Sequence, residues 1–130
     1  MGRHADIIRA HYAASDRGDI EGMIAPLAAD VEWTEAAGFP YAGTYIGPDA
    51  VVKGVFARIA AEWDGYTLAV DEVIDAGDVV LGIGTYSGTY IRTGRSFTAR
   101  VAHVWRLRDG RVTAFEQFPD SELVVRAIND

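Results

Sequence analysis

Apolar and polar residues alternate most regularly near the carboxyl end of the chain, over FTARVAHVWRLRDGRVTAFEQFPD, residues 97–120. A period of two predicts β-strands, and the central Arg-Asp-Gly predicts a tight turn between two of them. The bulky face of the first strand carries His103 between Val101 and Trp105. A histidine in the middle of an apolar face is the first candidate for chemistry in this sequence.

The turn decides which residue of the second strand lies opposite His103. A two-residue Asp-Gly loop would pair it with Glu116. A three-residue Arg-Asp-Gly loop would pair it with Phe115 and place Gln117 diagonally near it. We favour the three-residue loop, because it also gathers the large apolar side chains on one side of the hairpin.

The other segments show helical or strand-like periods, and helices precede a run of consecutive strands. This order predicts an α+β fold, in which helices cover one face of a strongly curved antiparallel sheet and enclose a pocket. We expect residues 1–130 to form a single domain. The predicted helices are residues 4–17, 19–27, 50–63 and 121–128; the predicted strands are 31–35, 67–75, 79–91, 96–107 and 111–118; residues 36–47 are predicted to be a loop.

Composition narrows the possible partners and sites. The 130 residues have a net charge of −7, which argues against nucleic acid or an anionic membrane as a partner. The chain has no cysteine, so disulfides, thiol catalysis and thiolate metal sites are excluded. The three histidines lie far apart in sequence, and we expect no metal site. No apolar run approaches the length of a membrane span, and no signal-peptide core is present, so we expect a cytoplasmic protein.

Three segments carry a family resemblance: GDIEGMIAPLAADVEW at 18–33, GPDAV at 47–51 and HVWRLRDGRVTAFEQF at 103–118. They resemble the SnoaL-like branch of the nuclear transport factor 2-like superfamily, which includes ketosteroid isomerase and polyketide cyclases. The resemblance covers essentially the whole chain. It implies a cone-shaped fold with an internal pocket, chemistry without a cofactor, and a homodimer formed through the outer face of the sheet.

When the positions of the resemblance are matched one by one, the residues of this chain differ in chemical type from the site residues of the family. Trp33 falls where ketosteroid isomerase has its catalytic aspartate, His103 where it has the protonated aspartate of its oxyanion hole, and His11 where it has the oxyanion tyrosine. Gln117 stands where other relatives have an acid. The best-known carboxylates of the family are therefore missing here.

Three residues are candidates for catalysis. His103 can transfer a proton near neutral pH, and Gln117 can orient its ring or bind a ligand oxygen. Glu35 shares a face with Trp33 at the end of its strand, where it is more typical of a solvated glutamate at the pocket rim; if it is buried instead, its pKa would rise towards that of a base. Further residues are candidates for ligand binding, although each by itself is more typical of core packing: His11, Tyr12, Trp33, Tyr41, Phe56, Trp63, Tyr86, Val101, Trp105 and Phe115.

Together these observations predict a protein that binds a small apolar ligand of cyclic or polyketide-like character. The reaction would be an isomerisation, cyclisation or hydrolysis without a cofactor, with His103 as acid or base. The alternative is a non-catalytic ligand-binding or stress-type protein on the same scaffold.

Overall fold

A six-stranded sheet in the order β2-β1-β6-β5-β4-β3 organises the structure, a computed structural model that describes residues 2–129. Strands β3 to β6 follow one another along the chain as an antiparallel meander, as the run of alternating segments predicted. The strands are β1 (Leu27–Glu35), β2 (Gly43–Ile46), β3 (Trp63–Ala76), β4 (Val79–Tyr90), β5 (Ser96–Arg108) and β6 (Arg111–Pro119).

The predicted α+β fold is confirmed, with two differences in the sheet. Strand β1 pairs with β6 in parallel, so the sheet is not antiparallel throughout. Strand β2 lies inside the segment predicted to be a loop and pairs with the end of β1. Its four residues are mostly exposed, so no buried face imposes an alternation of apolar and polar residues.

The helices pack on the sheet and close the space above its concave face. The predicted helix over 50–63 begins at Pro48, contains a π-helical turn, and stops before Trp63, which already belongs to β3. The helices are α1 (Arg3–Asp16), α2 (Ile20–Ile24), α3 (Pro48–Val51), the π-helical segment Val52–Phe56, α4 (Ala57–Glu62) and α5 (Ser121–Ile128).

The β5–β6 hairpin differs from both predicted registers. The turn is the two-residue one, since Arg108 pairs with Arg111 and both turn residues have a positive φ (50° at Asp109 and 80° at Gly110), as a type I′ turn requires. The favoured three-residue loop is therefore wrong. The predicted Glu116 partner is also wrong, because a bulge beyond Leu107 shifts the register by one residue.

The bulge decides which side chains face the cavity. It places Thr113 as the extra residue of β6, so that Trp105 pairs with Phe115 and His103 pairs directly with Gln117. Val112, which alternation alone puts on the outer face of the sheet, is instead fully buried in the core.

Four polar side chains are buried together with the apolar core of residues 2–129: His11, Glu35, His103 and Gln117. They belong to four different elements, α1, β1, β5 and β6. Buried polar groups need hydrogen-bond partners or a function, so these residues locate the candidate site.

Candidate functional site

A cavity of ≈ 370 Å³ lies between the concave face of the sheet and the helical layer made of α1, α2, the π-helical segment and α4. Its surface is mainly aromatic, and no lysine or arginine lies among the described residues that line it. Most of the predicted site residues line it: His11, Tyr12, Trp33, Glu35, Phe56, Trp63, Tyr86, His103, Trp105 and Phe115.

The ring of His103 lies between two tyrosine hydroxyls. Its Nδ1 is 2.8 Å from the hydroxyl of Tyr12, and its Nε2 is 2.7 Å from the hydroxyl of Tyr86. Burial, helped by the nearby His11, lowers the pKa of His103 to about 3, because a charged ring would lose its hydration. His103 is thus neutral at physiological pH, and both of its nitrogens are already engaged.

Each of these tyrosines also accepts a hydrogen bond from a second side chain. The indole Nε1 of Trp105 donates to Tyr12 at 2.8 Å, and the amide Nε2 of Gln117 donates to Tyr86 at 3.1 Å. Gln117 is itself fixed by the backbone N–H of Ala36, which donates to its Oε1. The five side chains therefore form one continuous chain of hydrogen bonds across the floor of the cavity.

Glycine at position 82 makes this chain possible. Gly82 is the partner of His103 in the β4–β5 ladder, and a Cβ at this position would collide with the hydroxyl and ring of Tyr12. The absence of a side chain lets the tyrosine reach the histidine.

Glu35 is the carboxyl group of the cavity. It is 4% exposed and accepts one hydrogen bond, from Nε1 of Trp33 at 2.9 Å. Burial raises its pKa to about 7, against the smaller opposite effect of the Trp33 hydrogen bond. Its charge also contributes to raising the pKa of Tyr66 and of Tyr86, so the carboxyl group acts electrostatically on both phenols.

Tyr66 lines the cavity and was not predicted from the sequence. Its buried hydroxyl has no hydrogen-bond partner within residues 2–129, and burial, followed by the charge of Glu35, raises its pKa well above the ordinary value. The residue lies in an irregular part of β3, where Gly65 has a φ of 64°. It falls between the predicted helix over 50–63 and the predicted strand over 67–75, and the Asp64-Gly65 pair before it is the one local signal of an irregularity.

His11 presents a nitrogen acceptor to the cavity. Its Nδ1 lies 2.9 Å from the carbonyl oxygen of Met23, and since a carbonyl only accepts, Nδ1 carries the proton and Nε2 has a free lone pair. Nε2 bonds to no other group in the described part of the chain. Burial lowers the pKa of His11 to about 4, so this acceptor stays neutral.

Three predicted residues lie outside the cavity surface. The hydroxyl of Tyr41 donates to Glu62 at 2.6 Å and accepts from Nε1 of Trp63 at 3.0 Å, so its polar atom is used in packing. Val101 belongs to the apolar cluster under α5. Gln117 does not line the cavity, but it donates a hydrogen bond to the hydroxyl of Tyr86, which does.

Within residues 2–129, no group of histidine and carboxylate side chains could hold a metal ion. No helix in the same range is long and apolar enough to cross a membrane.

Comparison with known proteins assigns the fold and the family. A model of the SnoaL-like domain matches residues 8–115. A crystal structure of a nuclear transport factor 2-like protein from Burkholderia thailandensis is 54% identical, with a TM-score of 0.96, and the match covers 98% of each chain.

Two further relatives extend this comparison. TerC, crystallised with polyporic acid, is 32% identical with a TM-score of 0.86, over 98% of this chain and 99% of TerC. An uncharacterised protein of Mycobacterium tuberculosis is 28% identical over 113 residues, which are 87% of this chain and 86% of that protein. The match to the family model spans most of the chain, and the chain therefore belongs to the SnoaL-like family, on a nuclear transport factor 2-like fold.

Proposed function

We propose that this protein binds a flat, largely apolar, oxygen-bearing small molecule in the cavity and transfers a proton on it without a cofactor. Glu35 is the group that accepts and returns the proton. The observation that carries the proposal is a buried carboxyl group with a pKa near 7 in the same cavity as the unpartnered, buried hydroxyl of Tyr66.

The pKa of Glu35 suits general acid–base catalysis. A group that titrates near the working pH is present in both protonation states, so it can take a proton and give it back. The single hydrogen bond from Trp33 holds one carboxylate oxygen in place. Proton transfer from a weakly acidic C–H or O–H group of the ligand to Glu35 would leave negative charge on a ligand oxygen.

Phenolic hydroxyls supply the groups that would stabilise this charge. Tyr66 has a hydroxyl without a partner in the described chain, and Tyr86, which is close to it with ring centroids 5.4 Å apart, is held in place by His103 and Gln117. Hydrogen-bond donors fixed in a dry cavity stabilise a developing oxyanion more strongly than water does.

The shape and chemistry of the cavity favour a planar ring system. Trp33 stacks on Phe115 with ring centroids 3.9 Å apart, and Phe56 meets Trp33 edge-on. The cavity is large enough for a ligand of two or three fused rings. That TerC was crystallised with polyporic acid supports an organic ligand in this member of the family as well.

His103 has a different part in this proposal from the acid or base predicted from the sequence. Its nitrogens are both bonded to tyrosines, and its pKa is lowered to about 3. It orients the two hydroxyls and remains neutral. The proton acceptor is Glu35, which the sequence had offered as a second candidate.

Deuterium incorporation into 2-tetralone, a planar bicyclic ketone with acidic C–H groups, tests the proposed reaction. The wild-type protein in D₂O should accelerate the exchange, measured by mass spectrometry, over buffer alone. Glu35→Gln should reduce this acceleration by at least about a hundredfold while the ketone still quenches the fluorescence of Trp33 and Trp105. Bound ketone with equal exchange rates in wild type and variant would refute the role of Glu35.

Ligand binding without turnover is the second candidate. It is favoured by the engagement of both His103 nitrogens, which leaves the central histidine no lone pair for a substrate. This alternative predicts that a compound extracted from the purified protein and identified by mass spectrometry rebinds unchanged, with no deuterium incorporation.

We also propose the homodimer that the family resemblance implied. The outer face of β5 and β6 carries Ala102, Val104 and Phe118, and the last of these is 55% exposed. Phe118→Asp should convert the dimer into a monomer in light scattering. A wild-type protein with the mass of one chain would contradict this proposal.

A further inference from the structure

The hydrogen bonds around His103 leave one hydroxyl proton unused. Trp105, Tyr12, Tyr86 and one N–H of Gln117 each bring a proton, and the neutral His103 ring brings one more. These five protons serve the four hydrogen bonds Trp105–Tyr12, Tyr12–His103, His103–Tyr86 and Gln117–Tyr86. The donors from Trp105 and Gln117 are fixed, so the spare proton belongs to a tyrosine.

The tautomer of His103 decides which tyrosine keeps the spare proton. When Nε2 carries the ring proton, Tyr12 must donate to Nδ1, and the hydroxyl proton of Tyr86 is free. When Nδ1 carries it, Tyr86 must donate to Nε2, and the hydroxyl proton of Tyr12 is free. Both tyrosines line the cavity, so the free proton is available to a bound ligand in either case.

The hydrogen-bond partners of the two tyrosines are closely matched. Each hydroxyl oxygen accepts one N–H from a buried side chain, at 2.8 Å for Tyr12 and 3.1 Å for Tyr86, and each lies 2.7–2.8 Å from the ring. Neither nitrogen of His103 faces a carbonyl or carboxylate that would fix its tautomer, as Met23 fixes that of His11. No carbonyl or carboxylate partner therefore selects one tautomer over the other.

We propose that His103 is a tautomeric proton relay between Tyr12 and Tyr86, which connects two positions of the cavity without creating a charge. A proton that enters from a ligand at Tyr12 displaces the hydroxyl proton of Tyr12 to Nδ1. The Nε2 proton then passes to Tyr86, whose own hydroxyl proton leaves into the cavity. One proton enters, one leaves, and the ring changes from the Nε2–H to the Nδ1–H tautomer.

This relay suits an isomerisation in which a hydroxyl proton moves between two oxygens of the ligand, while Glu35 accepts and returns the proton bound to carbon. The catalytic use of the relay rests on the proposed function, whereas the exchange between the two tautomers does not. The Glu35→Gln exchange experiment tests that function separately, since its outcome does not depend on the tautomer of His103.

Nitrogen-15 NMR of the ligand-free protein, labelled at histidine, tests the relay, because protonated and bare ring nitrogens resonate far apart. In the wild type, both nitrogens of His103 should show positions between the two extremes. Tyr12→Phe should shift the ratio at least about tenfold towards Nε2–H, and Tyr86→Phe as far towards Nδ1–H. The reason is that a buried N–H without an acceptor costs more than a bare lone pair.

Tyr45→Phe is the matched control, because the hydroxyl of Tyr45 bonds to the carbonyl of Tyr41 and not to the relay. It should leave the ratio unchanged. A wild-type ring held in one tautomer, or a charged ring, overturns the relay whatever the variants do. If only one tyrosine variant folds, that variant is sufficient for the test, since each has its own expected direction. A shift of its tautomer ratio in the expected direction supports the relay, and a shift in the other direction overturns it.

Discussion

The indole Nε1 of Trp33 donates a 2.9 Å hydrogen bond to Oε2 of Glu35, two residues further along the same face of β1. Both side chains are almost completely buried. One neutral donor stabilises the carboxylate less than burial destabilises it, so the pKa of Glu35 rises from 4.5 to about 7. The carboxyl group is thus protonated in part of the molecules at neutral pH.

Glu35→Gln should change how stability depends on pH. The folded protein binds the Glu35 proton more tightly than the unfolded chain does, so this group lowers the free energy of unfolding as the pH rises from about 4.5 to about 7. The shift in pKa corresponds to roughly 3 kcal/mol. Chemical unfolding of both proteins should show that the free energy of unfolding of the variant, relative to that of the wild type, is higher at pH 8 than at pH 4 by about this amount.

The comparison isolates Glu35 because the other buried groups are common to both proteins. His11 and His103 have lowered pKa values, so they contribute the opposite trend, a loss of stability as the pH falls below about 6.5. A difference between wild type and Glu35→Gln that stays constant with pH would show that Glu35 does not titrate in this range.

Removal of the Tyr66 hydroxyl should not destabilise the protein. This hydroxyl is buried without a partner in the described chain, so Tyr66→Phe should leave the free energy of unfolding unchanged or raise it by up to about 1 kcal/mol. The affinity for 2-tetralone, measured by tryptophan fluorescence, should fall by about tenfold, because the ligand oxygen loses a donor.

Tyr86→Phe is the control for this variant. The Tyr86 hydroxyl bonds to His103 and Gln117, so its loss leaves buried groups unpaired and should cost about 1–3 kcal/mol of stability. Equal losses of stability in the two variants would mean that the Tyr66 hydroxyl has a structural partner.

Gly82→Ala should disturb the hydrogen bond between Tyr12 and His103. The new methyl group would collide with the Tyr12 hydroxyl and ring, and overpacking of this kind costs about 1–3 kcal/mol. Because the hydroxyl makes the closest approach, adding Tyr12→Phe to the variant should recover part of the lost stability. If the losses of stability from the two substitutions simply add in the double variant, the collision is relieved by movement of groups other than the Tyr12 hydroxyl.

The sequence predicted the strands of the meander well, because one face of β4, β5 and β6 is buried and one face of β3 is partly covered, which makes alternation strong. It predicted the register of the β5–β6 hairpin poorly. Turn chemistry at Asp109-Gly110 and the gathering of apolar side chains pointed to different loops, and the structure satisfies both with a bulge at Thr113. A bulge has no periodic signal, so alternation alone could not place Gln117 opposite His103.

The lack of a periodic signal also explains why Tyr66 was not predicted. It follows Gly65 in an irregularity of β3, outside any regular alternation. Glu35 was found because it lies in step with Trp33 on β1, but its pKa depends on how completely the helices cover it, which is a property of the packed structure. The protonation of His103 depends likewise on burial and on tyrosines distant in sequence, Tyr12 and Tyr86.

In this cavity Glu35 changes its charge near neutral pH, whereas the His103 ring stays neutral in either tautomer. An NMR titration between pH 5 and pH 8, with carbon-13 at the glutamate carboxyl and nitrogen-15 at histidine, follows both groups in one sample. The expected result is a midpoint near 7 for Glu35 and a neutral His103 ring throughout. A Glu35 midpoint near 4.5 together with a His103 midpoint near 6.5 would contradict it.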